Sequence, residues 1–365
     1  MEVSLTDVLN AREARAHQQE RMLREYGCPI VSFTMNIAGP VKNTPLIQRG
    51  FQAGVDTLTA QLPKALIRSR FVDLSPTGCT AMLAVDMDAR ELKEICVRLE
   101  DNSPLGRLFD MDVLDAHGKK LQRLQERGCL VCGASGRVCA ARRLHPVSQL
   151  QTVTNQILSQ HFARADSEHI ASLAVQSLID EVNTTPKPGL VDRRNNGSHL
   201  DMTLQHFYRS ANALSSYFSK CVQIGQETAQ LSPKETFPPL RAAGLEAEKA
   251  MYQATGGINT HKGIIYSMGI LCGSIGRLWS AAAPFASIDA ILSECAKISA
   301  ESAIADLASA NGTTAGEKCY RNYGIGGIRK EVADGMPSVR EISLPCYRKM
   351  LSAGMSTNDA GASSQ

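Results

Sequence analysis

The sequence predicts an α+β domain followed by a second domain that is mostly α-helical. Three observations lead there. At 365 residues the chain is longer than one typical domain. Up to about residue 148, short β-prone apolar runs alternate with helix-patterned stretches. Beyond it the texture changes to long Ala-, Leu-, Ile- and Ser-containing segments with helical spacing and little strand signal. The boundary falls between His145 and Glu168, and dividing there gives domains 1–155 and 156–365.

In order, residues 5–27 read as a charged helix opened by Thr6 and Asp7, with Val8, Leu9, Met22 and Leu23 as its apolar positions. Pro29 to Asn36 reads as a strand that ends at the Ala38-Gly39-Pro40 turn. Residues 44–62 suggest a helix, Thr80 to Asp86 a strand, and 88–99 a helix. Gly106 to Leu114 is a third strand, with Leu108, Asp110, Asp112 and Leu114 on one face. The later helices are expected at 148–182, 203–228, 241–254, 263–280 and 288–308, with Leu231 to Pro239 as a connecting loop.

Composition excludes several classes. Hydrophobic residues are 43% and charged residues 21%, as in an ordinary soluble globular protein. A net charge of +3 is too mild to argue for nucleic acid or a membrane surface. No apolar run approaches the ~20 residues a spanning helix needs. The first residues lack the basic-then-apolar pattern of a signal peptide. Eleven irregularly spaced cysteines in such a chain read as reduced thiols, so the expected location is the cytoplasm.

The densest chemistry lies in Thr184 to Asp201, where Lys187, Arg193, Arg194 and His199 can meet phosphate oxygens. Asp192 and Asp201 in the same stretch can hold a cation or accept hydroxyl hydrogen bonds. A loop this polar has no core to bury, so its order is expected to come from what it binds; the alternative is a solvated turn. In the first domain, Asp110 and Asp112 are two apart on a strand and share a face. Like charges so close call for a cation or a cationic side chain between them, and Mg²⁺ with substrate phosphates is the usual answer; an exposed strand face is the alternative. Arg107 stands three residues upstream. Cys129 and Cys132, with Cys139 and His145 downstream, have a zinc-like look, but the short gap between the second and third ligands favours incidental thiols. Asn259, Thr260, His261 and Lys262 sit where a helix begins, a place that attracts anions, or else simply caps it. Gly324 to Glu331 is a Gly-rich stretch without the context of a Walker or Rossmann loop.

Three segments of the first domain, Asn36-Ile-Ala-Gly-Pro-Val-Lys42, Gly106-Arg-Leu-Phe-Asp-Met-Asp-Val113 and Cys129-Leu-Val-Cys-Gly133 with Cys139-Ala-Ala-Arg-Arg-Leu-His145, resemble the holo-citrate lyase synthase family. The resemblance implies a nucleotidyltransferase-like fold that moves phosphoribosyl-dephospho-coenzyme A onto a serine of the citrate lyase acyl carrier protein (the γ subunit), releasing pyrophosphate. It implies Mg²⁺ on Asp110 and Asp112, with Lys42 and Arg107 as further cations. Thr185-Pro-Lys-Pro-Gly-Leu-Val-Asp192, Asn196-Gly-Ser-His-Leu-Asp-Met202, Thr255-Gly-Gly-Ile-Asn-Thr-His-Lys-Gly263 and Ile328-Arg-Lys-Glu331 resemble the triphosphoribosyl-dephospho-coenzyme A synthase family. That family joins ATP and dephospho-coenzyme A and releases adenine. The implied roles are phosphate binding by Lys187, His261 and Lys262, and metal or acid/base work by Asp192, Asp201 and Glu248. His199 serves as phosphate contact or acid, and Asn259 and Arg329 join the nucleotide-binding set. The chain resembles the fused form of the two families but ends early, soon after Gly354-Met-Ser-Thr-Asn-Asp-Ala360, and Gly316–Gly327 is less regular than the pattern. The alternative expectation is therefore that only the first transferase works, beside a non-catalytic nucleotide-binding relic.

Overall fold

The computed structural model describes residues 2–308, 322–323 and 326–364. Of the Gly316–Gly327 stretch, residues 316–321, 324 and 325 lie outside the described residues. The chain divides into two compact units, Met1–Phe162 and Ala163–Gln365.

The first unit is built on a four-stranded antiparallel sheet of order β2-β3-β1-β4, formed by β1 (Ile30–Met35), β2 (Ile67–Asp73), β3 (Thr80–Val85) and β4 (Phe109–Leu114). The central strands β1 and β3 are the apolar ones: Ile30, Val31, Phe33 and all of β3 are buried. One face carries Phe33, which stacks on Phe51 of α2 (Pro45–Gln61) with ring centroids 5.1 Å apart and meets Phe109 edge-on at 5.2 Å. Helix α3 (Ala89–Asp101), capped by Asp88, lies against β4. The opposite face receives α1 (Leu5–Tyr26), whose Met22 joins Ile30, Met82 and Ala84 in a smaller apolar cluster. Helix α1 begins at Leu5 as expected, but its cap is Ser4 and not Thr6: Ser4 and Asp7 form a reciprocal capping box, and Gly27 at φ 62° closes the other end.

Three elements differ from expectation. Strand β2 is half-exposed throughout and carries two arginines, so its apolar alternation is weak in the sequence. The strand expected from Gly106 begins only at Phe109, because Leu105–Leu108 forms a 3-10 turn pressed against the end of α3. A side chain at Gly106 would sit 2.3 Å from the Leu99 carbonyl oxygen, so only glycine permits that approach. Short helix α4 (Gly136–Ala141), capped by Ser135, lies in a stretch to which the sequence assigned no element.

The second unit is helical. Helix α5 (Val147–Asn183) leads into it, followed by α6 (Leu204–Ala213), α7 (Ser215–Glu227), α8 (Pro233–Thr255), α9 (Lys262–Leu278), α10 (Ile288–Ala308), α11 (Gly327–Ala333), α12 (Leu344–Ser352) and α13 (Thr357–Ser363). Leu178, Leu214, Phe218, Met251, Ile270 and Ile298 are among the buried side chains of its core. Helices α7 and α9 cross backbone to backbone: a Cβ on Gly225 would lie 2.1 Å from the Gly273 oxygen, and one on Gly276 would lie 2.1 Å from the Val222 oxygen. Arg277 of α9 joins α10 through a buried ion pair to Glu294 at 2.7 Å, and its guanidinium also reaches the Leu231 carbonyl and Thr236. The expected 231–239 loop is instead the first turns of α8. Ser232 and Glu235 cap it reciprocally and Pro233 occupies its first position. Pro238 and Pro239 each forfeit an intrahelical bond, while burial of Thr236, Phe237 and Leu240 holds the turn. Among the described residues, no helix is long and apolar enough to cross a membrane.

Candidate functional site

Strand β4 is the sheet edge that carries the acidic pair. Phe109, Met111 and Val113 point into the core, while Asp110 and Asp112 pair in register with Thr34 and Ser32 and project to the α1 side. The edge is closed by side chains from α3 and the following segment. Lys93 donates to the Met111 carbonyl at 2.9 Å, Glu100 accepts from the Met111 N–H at 2.7 Å, and Arg127 donates to the Phe109 carbonyl at 2.6 Å. The Leu121 N–H takes the Val113 carbonyl at 2.8 Å. These bonds occupy the outward carbonyls of Phe109, Met111 and Val113 and the Met111 N–H, which fixes the edge strand and blunts it as a ladder for another chain.

Lys120 meets Asp112 at 2.5 Å. The Asp110 carboxyl stays accessible, yet its proton affinity is raised, first because surrounding protein withdraws water and then because Asp112 lies beside it. The pair borders a cavity of about 1180 Å³ whose other walls include Arg12, Arg15, Asn36 and Lys42. Lys42 donates to the Ile37 carbonyl at 2.5 Å; partial burial and then the Arg12 charge lower its pKa. Arg107 lies in an adjoining cavity of about 990 Å³ that shares Asp110, Asp112 and Lys120, and its guanidinium donates to the Gly128 carbonyl at 2.6 Å. Arg12, Arg15 and Lys120 were not singled out from the sequence. A signal existed for the first two, since positions 12 and 15 share one face of the amphipathic helix, together with Gln19, which bonds Ser32 across the sheet.

In the second unit the 184–201 loop orders itself, contrary to the expectation that a ligand must order it. Val191 and Asp192 are buried, and the Asp192 carboxylate is the hub. Its Oδ2 accepts from the Thr185 hydroxyl at 2.6 Å and the Lys187 N–H at 3.1 Å; its Oδ1 accepts from the N–H groups of Arg194 at 2.7 Å and Asn195 at 3.1 Å. The Thr185 bond foremost, and then the backbone donors, hold this carboxyl well below the usual carboxylate range despite its desolvation. Lys187 is also turned inward: its ammonium bonds the Glu181 carbonyl at 2.8 Å and carboxylate at 2.7 Å. Asn358 of α13 takes the Thr185 N–H at 3.0 Å, gives back to the Thr185 carbonyl at 2.9 Å, and accepts from Arg193 at 3.1 Å. His199 is half-buried and Asp201 exposed on the chain leading to α6.

A second cluster forms where α8 gives way to α9. Glu248 and Lys262 pair at 3.0 Å, and Asn259 accepts from the Lys262 N–H at 3.2 Å. His261 is buried; its Nδ1 lies 2.7 Å from Ser210 Oγ, Phe207 meets its ring edge-on, and its Nε2 has no partner among the described residues. Burial drives its pKa down to about 4, so it is a neutral imidazole at pH 7 and not the cation that phosphate binding would use. Helix α6 touches both clusters, through Ser210 to His261 and through Tyr208, which donates to Asn183 at 2.6 Å beside the loop. Arg329 lies on α11.

Two family models match this chain. The model for apo-citrate lyase phosphoribosyl-dephospho-CoA transferase (CitX) matches residues 3–161, and that for ATP:dephospho-CoA triphosphoribosyl transferase (CitG) matches residues 167–363. Protein CitXG of Haemophilus influenzae is 35% identical over 354 residues, covering 93% of this chain and 75% of the relative. Protein CitXG of Leuconostoc mesenteroides subsp. cremoris is 30% identical over 365 residues, covering 94% and 77%. A probable 2-(5''-triphosphoribosyl)-3'-dephosphocoenzyme-A synthase of Vibrio cholerae is 41% identical over 196 residues, covering 52% of this chain and 62% of its own.

Proposed function

The chain belongs to the family that fuses a CitX-type transferase to a CitG-type triphosphoribosyl transferase, and from that premise we propose how its residues divide the work. It is a transferase with both activities: it makes triphosphoribosyl-dephospho-CoA and delivers the prosthetic group to the citrate lyase acyl carrier protein. The observation that carries this reading is the succession of the two matches, 3–161 and 167–363, along nearly the whole chain. It does not favour a lone first transferase beside a relic.

In the first unit, which we read as nucleotidyltransferase-like, the hydroxyl of a serine of the acyl carrier protein (the γ subunit) gives up its proton as its oxygen bonds the phosphorus next to the ribose. The anhydride bond breaks and pyrophosphate leaves. Arg12, Arg15 and Lys42 bind phosphate oxygens from one side of the cleft, where charge-assisted hydrogen bonds are strongest. Asp110 and Asp112 supply the hard oxygen donors that suit Mg²⁺, and the repulsion from Asp112, which adds to desolvation in raising the Asp110 pKa, is what a cation between them relieves. Such an ion, when bound, neutralises phosphate charge. Lys120 keeps Asp112 aimed into the same cleft.

In the second unit ATP and dephospho-CoA are the substrates, and both are cytoplasmic compounds, which supports a cytoplasmic location. Asp192 organises the loop so that Arg193 and Arg194 are exposed and His199 is half-buried; it holds its own donors and leaves acid/base work to Glu248 and Asp201. Lys262, half-exposed beside Glu248, contacts the retained triphosphate together with Asn259 and Arg329. Lys187 supports the loop from inside.

Two assays test the reading on the intact chain. ATP plus dephospho-CoA should yield free adenine. Preformed triphosphoribosyl-dephospho-CoA plus apo acyl carrier protein should yield a carrier heavier by the prosthetic group in mass spectrometry. Absence of adenine release with the carrier still modified would return the reading to a lone first transferase.

A further inference from the structure

The chain brings four soft ligands to one point. The ligand atoms of Cys129, Cys132, Cys139 and His145 all lie within 4.8 Å of one another. Cys132 Sγ is 3.6 Å from Cys139 Sγ and 3.3 Å from His145 Nε2. With Zn–S near 2.3 Å and Zn–N near 2.05 Å, the edges of a tetrahedral site are about 3.8 Å between sulfurs and about 3.6 Å from sulfur to nitrogen. The observed separations are of that size and are too long for a disulfide, whose S–S bond is about 2.0 Å.

The backbone around the cluster is shaped for it. Cys129-Leu-Val-Cys132 forms a tight turn in which the Gly133 N–H returns to the Cys129 carbonyl at 3.0 Å, Gly133 itself at φ 74°. The Val131 N–H points at Cys129 Sγ at 3.4 Å, a backbone donor placed to support a thiolate there. Cys139 sits in α4, and the chain then reverses: Arg143 adopts φ 49° and the Leu144 N–H bonds the Cys139 carbonyl at 3.1 Å. That left-handed residue, uncommon for a side chain this size, turns His145 back over the cysteines. On the far side of the ring, Gln149 Oε1 lies 3.3 Å from Nδ1, so an Nδ1–H donated there leaves the Nε2 lone pair facing Cys132. The sequence spacing looked too short for two separated ligand pairs, but a helical turn followed by a reversal makes the short spacing sufficient.

We propose that Cys129, Cys132, Cys139 and His145 form a four-coordinate site for a soft divalent cation, with Zn²⁺ the ion that thiolate and imidazole donors select. The site is structural, since protein atoms fill all four positions. It ties together the segment whose Gly128 carbonyl receives Arg107 and whose Cys129 and Cys139 line the cavity shared with Asp110 and Asp112. The metal thus holds one wall of the transferase cleft in place.

The test uses the full chain purified under reductant, with elemental analysis for zinc and Co²⁺ reconstitution. One zinc per chain is expected, released by a mercurial thiol reagent. Co²⁺ should give thiolate charge-transfer and intense tetrahedral ligand-field bands in the unaltered chain, which requires no variant to fold. Cys132→Ser, at the exposed ligand, should lower zinc retention against a competing chelator by at least about tenfold. Fully reduced chain that holds no zinc after reconstitution, or Co²⁺ bound with an octahedral, thiolate-free spectrum, would overturn the proposal. So would zinc retention unchanged by Cys132→Ser and by His145→Ala.

Discussion

Replacing Asp192 tests the idea that the 184–201 loop is built around one carboxylate. Four donors converge on it: the Thr185 hydroxyl and the N–H groups of Lys187, Arg194 and Asn195. In Asp192→Ala all four lose their acceptor. Only the Lys187 N–H is fully buried, and a buried donor left unsatisfied costs about 1–3 kcal/mol, with the part-buried ones costing less. A local loss of about 3–4 kcal/mol follows, and because about 1.4 kcal/mol is tenfold, the three amides should exchange with solvent roughly 10²–10³ times faster. Asp192→Asn is the sharper variant. An amide keeps one oxygen, and the orientation that strands fewer backbone donors points it at Arg194 and Asn195. The new NH₂ then faces the Thr185 hydroxyl, which can rotate to accept, and the Lys187 N–H, which cannot. Lys187 should therefore lose protection while Arg194 and Asn195 largely retain theirs. The pH dependence has a fixed sign: the folded pKa is depressed, so the stabilisation is complete above the unfolded value of about 3.9 and is lost as pH falls below it. Hydrogen exchange read by NMR or mass spectrometry decides the matter. Unchanged protection of the Lys187 amide in both variants would refute the hub.

Three further outcomes are expected. Asp110→Asn and Asp112→Asn should each lower carrier modification by about 10²–10³-fold, as loss of a charge-stabilising group does, while adenine release by the same protein stays at its unaltered rate; equal loss of both activities in purified protein would argue for misfolding instead. His261 is buried neutral with its pKa at about 4 against about 6.5 unfolded, so the unfolded state binds the extra proton between those values and stability falls as pH drops from 6.5 to 4. Urea unfolding should show that decline, up to about 3 kcal/mol, flattened in His261→Gln; an identical pH slope in both proteins would contradict it. Gly225→Ala should destabilise the helical unit by about 3 kcal/mol or more, because the added methyl meets the Gly273 carbonyl across the α7–α9 crossing and backbone cannot step aside; a Tm within a degree of the unaltered chain would disprove that contact.

Where periodicity was strong, the sequence foretold the fold. Helices at 5–26, 45–61 and 89–101 and the buried strands at 30–35 and 80–85 all stand within two residues of expectation; apolar patterning marks all of these but the first, which is a charged helix with Met22 as its buried residue. Strand β2 escaped since its partner β3 supplies nearly all the burial, leaving Ile67 to Asp73 free to be polar. The start of α8 escaped because proline was taken as a breaker, whereas Ser232 and Glu235 give the sequence sign of a helix start that outweighs it. Gly225, Gly273 and Gly276 gave no local sign at all. Their meaning lies in a crossing between helices about fifty residues apart in sequence, and no window of one helix contains it.

The residue types of the candidate site were legible in the sequence and their hydrogen-bond partners were not, for one physical reason. A charged side chain in a polar loop looks available for a ligand, but sequence does not reveal which donors the loop keeps for itself. Asp192 and Lys187 are the most buried polar groups of their loop, and each is saturated by neighbours within seven positions. Asp110 and Asp112 differ, because a strand fixes their direction by alternation and the edge bonds of Lys93, Glu100 and Arg127 leave them the cleft side. The four zinc-like ligands lie between these cases: identity and order were visible, and the reversal at Arg143 that brings them together was not. Regular structure fixes where a side chain points; in a loop, direction follows from hydrogen bonds that must be counted one by one. That count is why the proposed reading sends Asp110, Asp112, Glu248 and Lys262 to substrate and keeps Asp192 and Lys187 for the loop: the first four hold at most one ion pair each on an accessible face, whereas the two loop residues are buried among their own donors and acceptors.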